Sequence, residues 1–264
     1  MCTISVIPLR APAVGGGGGV SSSGFRIVCN RDEDRRRVAA ASPKWRAIER
    51  PGVPGARAIW PMDMEAGGTW IAAAEHGLAM CLLNLNPEPA IDLRGVRGLR
   101  SRGLIIPDLI GASSAGEAMN RLERQRLERY APFRLVTIDG RSAELSIVEA
   151  VWNRRELTVK HSGGGPVCFA SSGLGDSLVR PRLHLFRELV IDGDGETQDR
   201  QDEFHRHQWP DRTEISVLMT RELARTVSIT TVEAVPNGRG LWDVAMDYEA
   251  IRADVGVSRA SAAR

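Results

Sequence analysis

The sequence predicts an α+β fold in which antiparallel sheets are covered by helix layers. Three observations carry this. Apolar runs of strand length recur from Cys2 to Val235. Turn residues separate neighbouring runs. Only two or three segments have helical periodicity, and they do not alternate with the strands, which argues against a parallel βαβ architecture. The 264 residues are 42% hydrophobic and 26% charged, enough for a sizeable core beneath an ordinary charged surface.

The elements follow in order. Cys2 to Leu9 reads as a strand. RAPAVGGGGGVSSSG is a long hairpin connection, and no Lys-Ser or Lys-Thr follows it as a phosphate-cradling loop requires. Phe25 to Cys29 is a second strand pairing back on the first, and NRDEDRRR at its end is a dense charge cluster. Pro43 to Pro54 is loop-like. ARAIW, TWIAAA and LAMCLLN read as three strands, punctuated by Gly67-Gly68 and His76-Gly77. The unbroken apolar character of LAMCLLN predicts burial on both faces.

Ser114 to Glu117 has the form of a capping box. The helix behind it places Met119, Leu122, Leu127 and Tyr130 near one face. FRLVTID, AELSIVEAVW and RRELTVK predict three antiparallel strands, and PVCFASS another. GLGDSLVRPRLHLFRELV predicts a helix that Pro181 starts late or kinks. EISVLM and TVSITTVEAV are late strands. One domain over residues 1–254 is expected, with a frayed Ala/Ser/Arg-rich tail at 255–264.

Composition narrows the function classes. A formal charge of +2 provides no field for nucleic acid. No run approaches the roughly 18 apolar residues of a spanning helix, so no integral membrane segment is expected. The only lysines are Lys44 and Lys160; the arginine excess reads as a GC-rich, bacterial coding bias. Cys2, Cys29, Cys81 and Cys168 are scattered, without CxxC or metal-ligand spacing, so neither a disulfide framework nor a metal site is expected. With no secretory pattern at the start, a reducing cytoplasm is the expected location.

The chemistry centres on Cys2. Methionine excision ahead of so small a residue would leave an α-amine and a thiol on one residue. These titrate near about 8 and 8.5, so the amine is a general base tethered to its own nucleophile. Asn30, Arg31, Asp32 and Glu33 end the strand that pairs with the Cys2 strand, and Asn84 ends LAMCLLN. A carboxylate there would orient the amine, and an amide donor would hold an oxyanion. Each also has a plain structural reading: a solvated turn for NRDED, an ion pair for Arg31 and Asp32, a turn cap for Asn84. His205 and His207 in FHRHQW would share a face of a strand, a spacing that suits a metal or haem iron but lacks a third ligand; surface or interface histidines is the plainer reading. Trp60 and Trp70 pack in the core or line a pocket. Cys29 and Cys81 read as inert buried thiols. SSGLGD is a Gly-rich turn, either structural or presenting backbone N–H groups.

Together, MCTISV, the tetrad Asn30–Glu33 and GGTWIAAAEHGLAMCLLN resemble the NRDE family, also called the transport and Golgi organisation 2 family. SSGLGDSLVRPRLHLF and FHRHQWPDRTEISVLMTRELARTVSITTV are similar to the pattern of its bacterial members, so the resemblance runs from Met1 to about Glu233. More distantly the layout resembles the choloylglycine hydrolase and penicillin V acylase group of N-terminal nucleophile hydrolases. That resemblance implies a four-layer αββα sandwich and hydrolysis of a C–N amide bond. It makes Cys2 the nucleophile, Asp32 the aspartate at the α-amine and Asn84 the oxyanion asparagine. Asn30, Arg31, Glu33 and Arg225 then form the substrate-binding wall, Arg225 standing for the acylases' late arginine.

There are departures. The arginine of the acylase Arg-Asn-x-Asp motif falls on Cys29, leaving its role vacant or passing it to Arg31. No asparagine stands between Ser172 and Asp176, where the acylases' second one would fall. Eukaryotic family members are tied to trafficking, lipid and haem handling, which implies an alternative: a non-catalytic binder of haem, lipid or an acyl conjugate. No cofactor is required by the first reading; the partner is a small-molecule substrate or, in the second, a hydrophobic ligand.

Overall fold

The computed structural model describes residues 2–10, 22–141, 144–238 and 240–251. Its strands are β1 (Cys2–Arg10), β2 (Ser22–Asp34), β3 (Ala41–Ala47), β4 (Arg57–Met62), β5 (Ile71–Ala74), β6 (Leu78–Asn84), β7 (Phe133–Asp139), β8 (Ser146–Trp152), β9 (Leu157–Ser162), β10 (Val167–Ala170), β11 (Ala224–Pro236) and β12 (Trp242–Ala250). The helices are α1 (Ile105–Leu109), α2 (Ala115–Glu123), α3 (Arg180–Phe186) and α4 (Thr197–Arg206). The strands form two sheets, a five-stranded one in the order β10-β1-β2-β11-β12 and a seven-stranded one from β3 through β9 in sequence order. Every pairing is antiparallel.

Side-chain alternation sorts the apolar residues into three layers. Ile4, Val6, Phe25 and Ile27 of the smaller sheet meet Ile71, Cys81, Leu83 and Val136 of the larger one. The outer face of the larger sheet buries Met80, Leu135 and Ala150 under Ile105, Leu109, Met119 and Leu122 of α1 and α2. The outer face of the smaller sheet is covered by α3, a following π-helical turn over Arg187–Ile191, and α4, through Phe186, Val190 and Phe204 around Ile7. The order helix, sheet, sheet, helix is the predicted αββα sandwich. β6 is buried on both faces up to Asn84 because it lies at the centre of its sheet with α1 on one side and β1 on the other.

The caps explain the helix starts. Ser114 Oγ accepts the Glu117 N–H at 3.0 Å, and the Glu117 carboxylate reaches back to the Ser113 N–H at 2.5 Å. Such a cap contributes about 1 kcal/mol. Pro181 sits in the first turn of α3, where its missing N–H costs nothing, so the helix begins there and not at the preceding glycines.

Four local expectations fail. The predicted loop at Pro43–Pro54 begins inside β3, an edge strand that tolerates Pro43 where its register with β4 shifts. The helix from Ser114 ends at Glu123, and Leu127 and Tyr130 reach the same core cluster from a 3₁₀ turn (Leu127–Arg129) after Arg126 leaves helical geometry. EISVLM is no strand. It passes through a 3₁₀ turn (Thr213–Ile215), and the Val217 carbonyl accepts from the Asn30 side chain instead of a ladder N–H. FHRHQW is the end of α4, so His205 and His207 share no strand face: His205 is fully buried and His207 is the C-cap. β12 was not anticipated, although Trp242, Val244, Met246 and Tyr248 alternate as a strand should. The poly-glycine connection from residue 11 to 21 and the tail expected to fray at 255–264 lie outside the described residues.

Candidate active site

Cys2 opens β1 between β2 and β10, opposite Arg31. Its main-chain N–H donates to Ser171 Oγ at 3.2 Å, and its carbonyl accepts from the Ser171 N–H at 2.9 Å. The start of the strand is thereby held by the segment that continues β10. The SSGLGD turn beyond it is structural in its contacts. Asp176 accepts from the Ser172 N–H and from the main chain of Asn86, which ties the turn to the chain just after Asn84.

Alternation along β2 divides the tetrad between two faces. Arg31 shares the face of Cys2. Its guanidinium lies 4.2 Å above the Trp70 ring, donates to Asp63 at 2.7 Å and reaches Glu33 at 3.5 Å. Asp63 also accepts from Arg37 at 2.8 Å and from the N–H groups of Glu65 and Ala66. Burial opposes its charge, but the Ala66 N–H and the Arg37 and Arg31 guanidiniums outweigh burial and hold its carboxyl below the ordinary value.

Asn30 and Asp32 point the other way, toward α3 and α4. Asn30 donates to the carbonyls of His205 and Val217 at 2.8 and 2.9 Å. Asp32 accepts from Thr226 Oγ1 at 2.7 Å and stands 3.5 Å from Arg182 Nη1. Arg182, wholly buried, also donates to Thr3 Oγ1 at 2.6 Å and to the Ile215 carbonyl at 2.9 Å.

A cavity of about 210 Å³ lies at the ends of these strands, lined by Cys2, Asp32 and Asn84 together with Arg31, Glu33, Asp63, Trp70 and Arg102. Asn84 closes β6, half-buried, and its side-chain amide is not engaged by any described residue. The structure therefore brings Cys2, Arg31, Asp32, Glu33 and Asn84 to one cavity. It does not bring the other two predicted residues there. Asn30 is turned into the helix layer, and Arg225 stands opposite Glu33 in the β2–β11 ladder, outside the lining.

Cys29 is fully buried, as its apolar run predicts. It lies opposite Ile4, on the face that carries Cys2, and its S–H donates to the Cys2 sulfur. That bond holds the Cys2 thiol below its ordinary value against burial and Asp32, with Arg31 assisting. Cys29 is pushed up by the same bond and by burial. Arg182, Ser171, Asp63 and Arg102 were missed as site residues. None carries a local signal, because each arrives from 30 to about 180 positions away in sequence. Among the described residues no group of three His, Cys, Asp or Glu side chains is placed to hold a metal ion.

Two face-to-face antiparallel sheets between helix layers, with a cysteine opening a central strand onto a polar cavity, define the N-terminal nucleophile hydrolase type of fold. The chain is similar to the Caenorhabditis elegans orthologue of N-acylethanolamine-hydrolysing acid amidase, with a TM-score of 0.53 and 11% identity over 88% of this chain and 92% of that one. Penicillin V acylase from Agrobacterium tumefaciens gives 0.49 and 10% over 95% and 86%, and a variant of conjugated bile acid hydrolase from Clostridium perfringens gives 0.48 and 9% over 98% and 100%. At these identities the likeness concerns the fold alone. The sequence pattern of the Transport and Golgi organisation 2 family matches residues 22–222, and the chain belongs to that family. No curated protein matches the chain significantly.

Proposed function

We propose that the protein is a cysteine-dependent amidohydrolase that uses Cys2 as an N-terminal nucleophile. The observation that carries this reading is the convergence of Cys2, Asp32 and Asn84, from three strands in two sheets, on one cavity. Excision of Met1 turns the Cys2 nitrogen, already seated against Ser171 Oγ, into a primary amine. Cys2 Sγ attacks the amide carbonyl while its proton passes to that amine. The unengaged Asn84 amide donates to the oxyanion. The amine then delivers the proton to the leaving nitrogen as the C–N bond breaks, and a water deprotonated by the amine cleaves the thioester. Asp32, held by Thr226 and Arg182, orients the amine, and the Cys29 S–H stabilises the thiolate.

The cavity is small and lined by charges, below the roughly 300–1,000 Å³ of a drug-sized site, which favours a small polar amide over haem or a long acyl chain. Both ring nitrogens of His205 are already engaged, by Ser5 and Asn30, so it is not available as an axial ligand.

The test is the intact mass of the purified protein before and after brief iodoacetamide treatment near pH 7. The expected result is loss of one methionine and single rapid labelling at Cys2. Cys2→Ala should then lower hydrolysis of any amide found to turn over by about 10³-fold or more. A retained methionine, or a Cys2 no more reactive than Cys168, would sink the mechanism.

A further inference from the structure

The charges around the cavity balance almost entirely among themselves. Arg31 and Arg37 are paired with Asp63 and Glu33. Asp32 is held by Thr226 and Arg182. Arg102 differs: among the described residues it forms no ion pair, and its one hydrogen bond runs from Nη1 to the Pro132 carbonyl at 2.8 Å.

The sequence goes to some length to seat Arg102 there. It begins a 3₁₀ turn (Arg102–Leu104) that docks on the GGTW segment, with the Thr69 N–H donating to the Gly103 carbonyl at 2.9 Å. A Cβ on Gly68 would fall 2.4 Å from the Gly103 carbonyl carbon, so only glycine lets the two backbones approach. Burial pulls the Arg102 guanidinium down from its ordinary value, while Cys2 and Glu33 act in the other direction, which places it within electrostatic reach of the nucleophile. It also lines a second cavity of about 290 Å³ beyond, bordered by Leu85, Pro87, Ile91 and Leu174, and is the residue common to both linings. A half-buried cation without a carboxylate is costly unless a ligand supplies one.

We propose that Arg102 binds an anionic group of the substrate, so that the site takes small amides carrying a carboxylate close to the scissile bond. The substrate class rests on the amidohydrolase reading; the anion subsite does not.

Two measurements separate them. The first is equilibrium binding, by calorimetry on the Cys2→Ala protein, of N-acetylglycine and its neutral counterpart N-acetylglycinamide. The acid should bind at least about tenfold tighter, as a charge-assisted contact in a half-buried site implies. Arg102→Leu should erase that ratio, and Arg102→Lys should retain part of it, since the charge stays and the fork is lost. Equal binding of the two ligands by the unmutated site, or a ratio that survives Arg102→Leu, would overturn the proposal. The second is the rate of Cys2 alkylation by iodoacetate relative to iodoacetamide, referred to the same ratio for free cysteine. The protein should favour iodoacetate by about tenfold more than free cysteine does, and Arg102→Leu should remove the preference while leaving iodoacetamide labelling within a few-fold. Equal loss of both rates in Arg102→Leu would mean that Arg102 only tunes the thiolate, against the proposal. A Cys2 inert to both reagents would sink the hydrolase reading, and the calorimetric ratio would still decide the anion subsite.

Discussion

The two faces of β2 carry one four-residue motif into opposite surroundings. On one face Arg31 and Glu33 border an open cavity beside Cys2 in which, among the described residues, the Asn84 amide is not engaged and Arg102 has no ion pair. On the other, Asn30 enters a closed layer beneath α4. There His205 Nδ1–H donates to Asn30 Oδ1 at 2.8 Å, and its Nε2 accepts from Ser5 Oγ at 2.7 Å. Ser5 accepts from Gln201, which accepts from Arg26, which is paired with Asp202 and Glu233. Both regions are polar and both are built on β1 and β2. The difference is satisfaction: the chain from Asn30 through His205, Ser5 and Gln201 to Arg26 spends its donors and acceptors on itself and holds the structure, whereas the cavity keeps some in reserve, and those are the groups that can act on a ligand.

Arg182 is where the comparison is broken most forcefully, because it links the closed layer to the site through Asp32. Arg182→Met removes the Arg182 charge from beside the buried Asp32 carboxylate and the donor to Thr3. Removing one partner of a buried pair costs about 3–5 kcal/mol, so the denaturant midpoint should fall sharply. An unchanged midpoint would mean that this layer does not hold the structure. Asn84→Ala is the converse case. Loss of one oxyanion donor should lower kcat about 10²-fold on a working substrate. Unfolding stability should stay within about 0.5 kcal/mol, since the amide serves no described residue. A large stability loss with an unchanged rate would place Asn84 with the closed layer instead.

The layered fold was legible because strand alternation and the buried run of β6 are local patterns. So was the meeting of Cys2 with the end of β2, since a hairpin fixes that register. Asn84 is a candidate as the polar end of a buried strand, but its oxyanion role follows only from the family resemblance, as nothing in LAMCLLN itself says which sheet it faces. Arg182 and His205 were illegible as network members. Their partners are set by how α3 and α4 pack on the smaller sheet, and a helix end such as FHRHQW has the same two-residue spacing as a strand. Asn30 joins the substrate wall by its place in the tetrad and Arg225 by likeness to the acylases' late arginine, yet β2 turns Asn30 away from the cavity and the ladder holds Arg225 beside Glu33.

The closed layer also makes a prediction about pH. His205 is held neutral, its value lowered to about 3 by burial first and then by the Arg26, Arg182 and Arg206 guanidiniums. In the unfolded chain the same ring titrates near about 6.5. Below that value the unfolded state takes up a proton that the folded state refuses, so this contribution is fully present above pH 6.5 and is lost as pH falls toward 3. Each such group contributes up to about 1.4 kcal/mol per pH unit across that window. His76, lowered to about 4 by burial and Arg50, adds a parallel loss that is independent of the layer. Urea unfolding of the protein and of His205→Gln at several pH values from 7 to 4.5 isolates the first term. The variant should be less stable at pH 7, where the ring's bonds to Ser5 and Asn30 are lost, yet its stability should fall less steeply with acid. Parallel slopes would mean that His205 takes its proton without opening the layer, and that the side of β2 described as closed exchanges with solvent as readily as the cavity does.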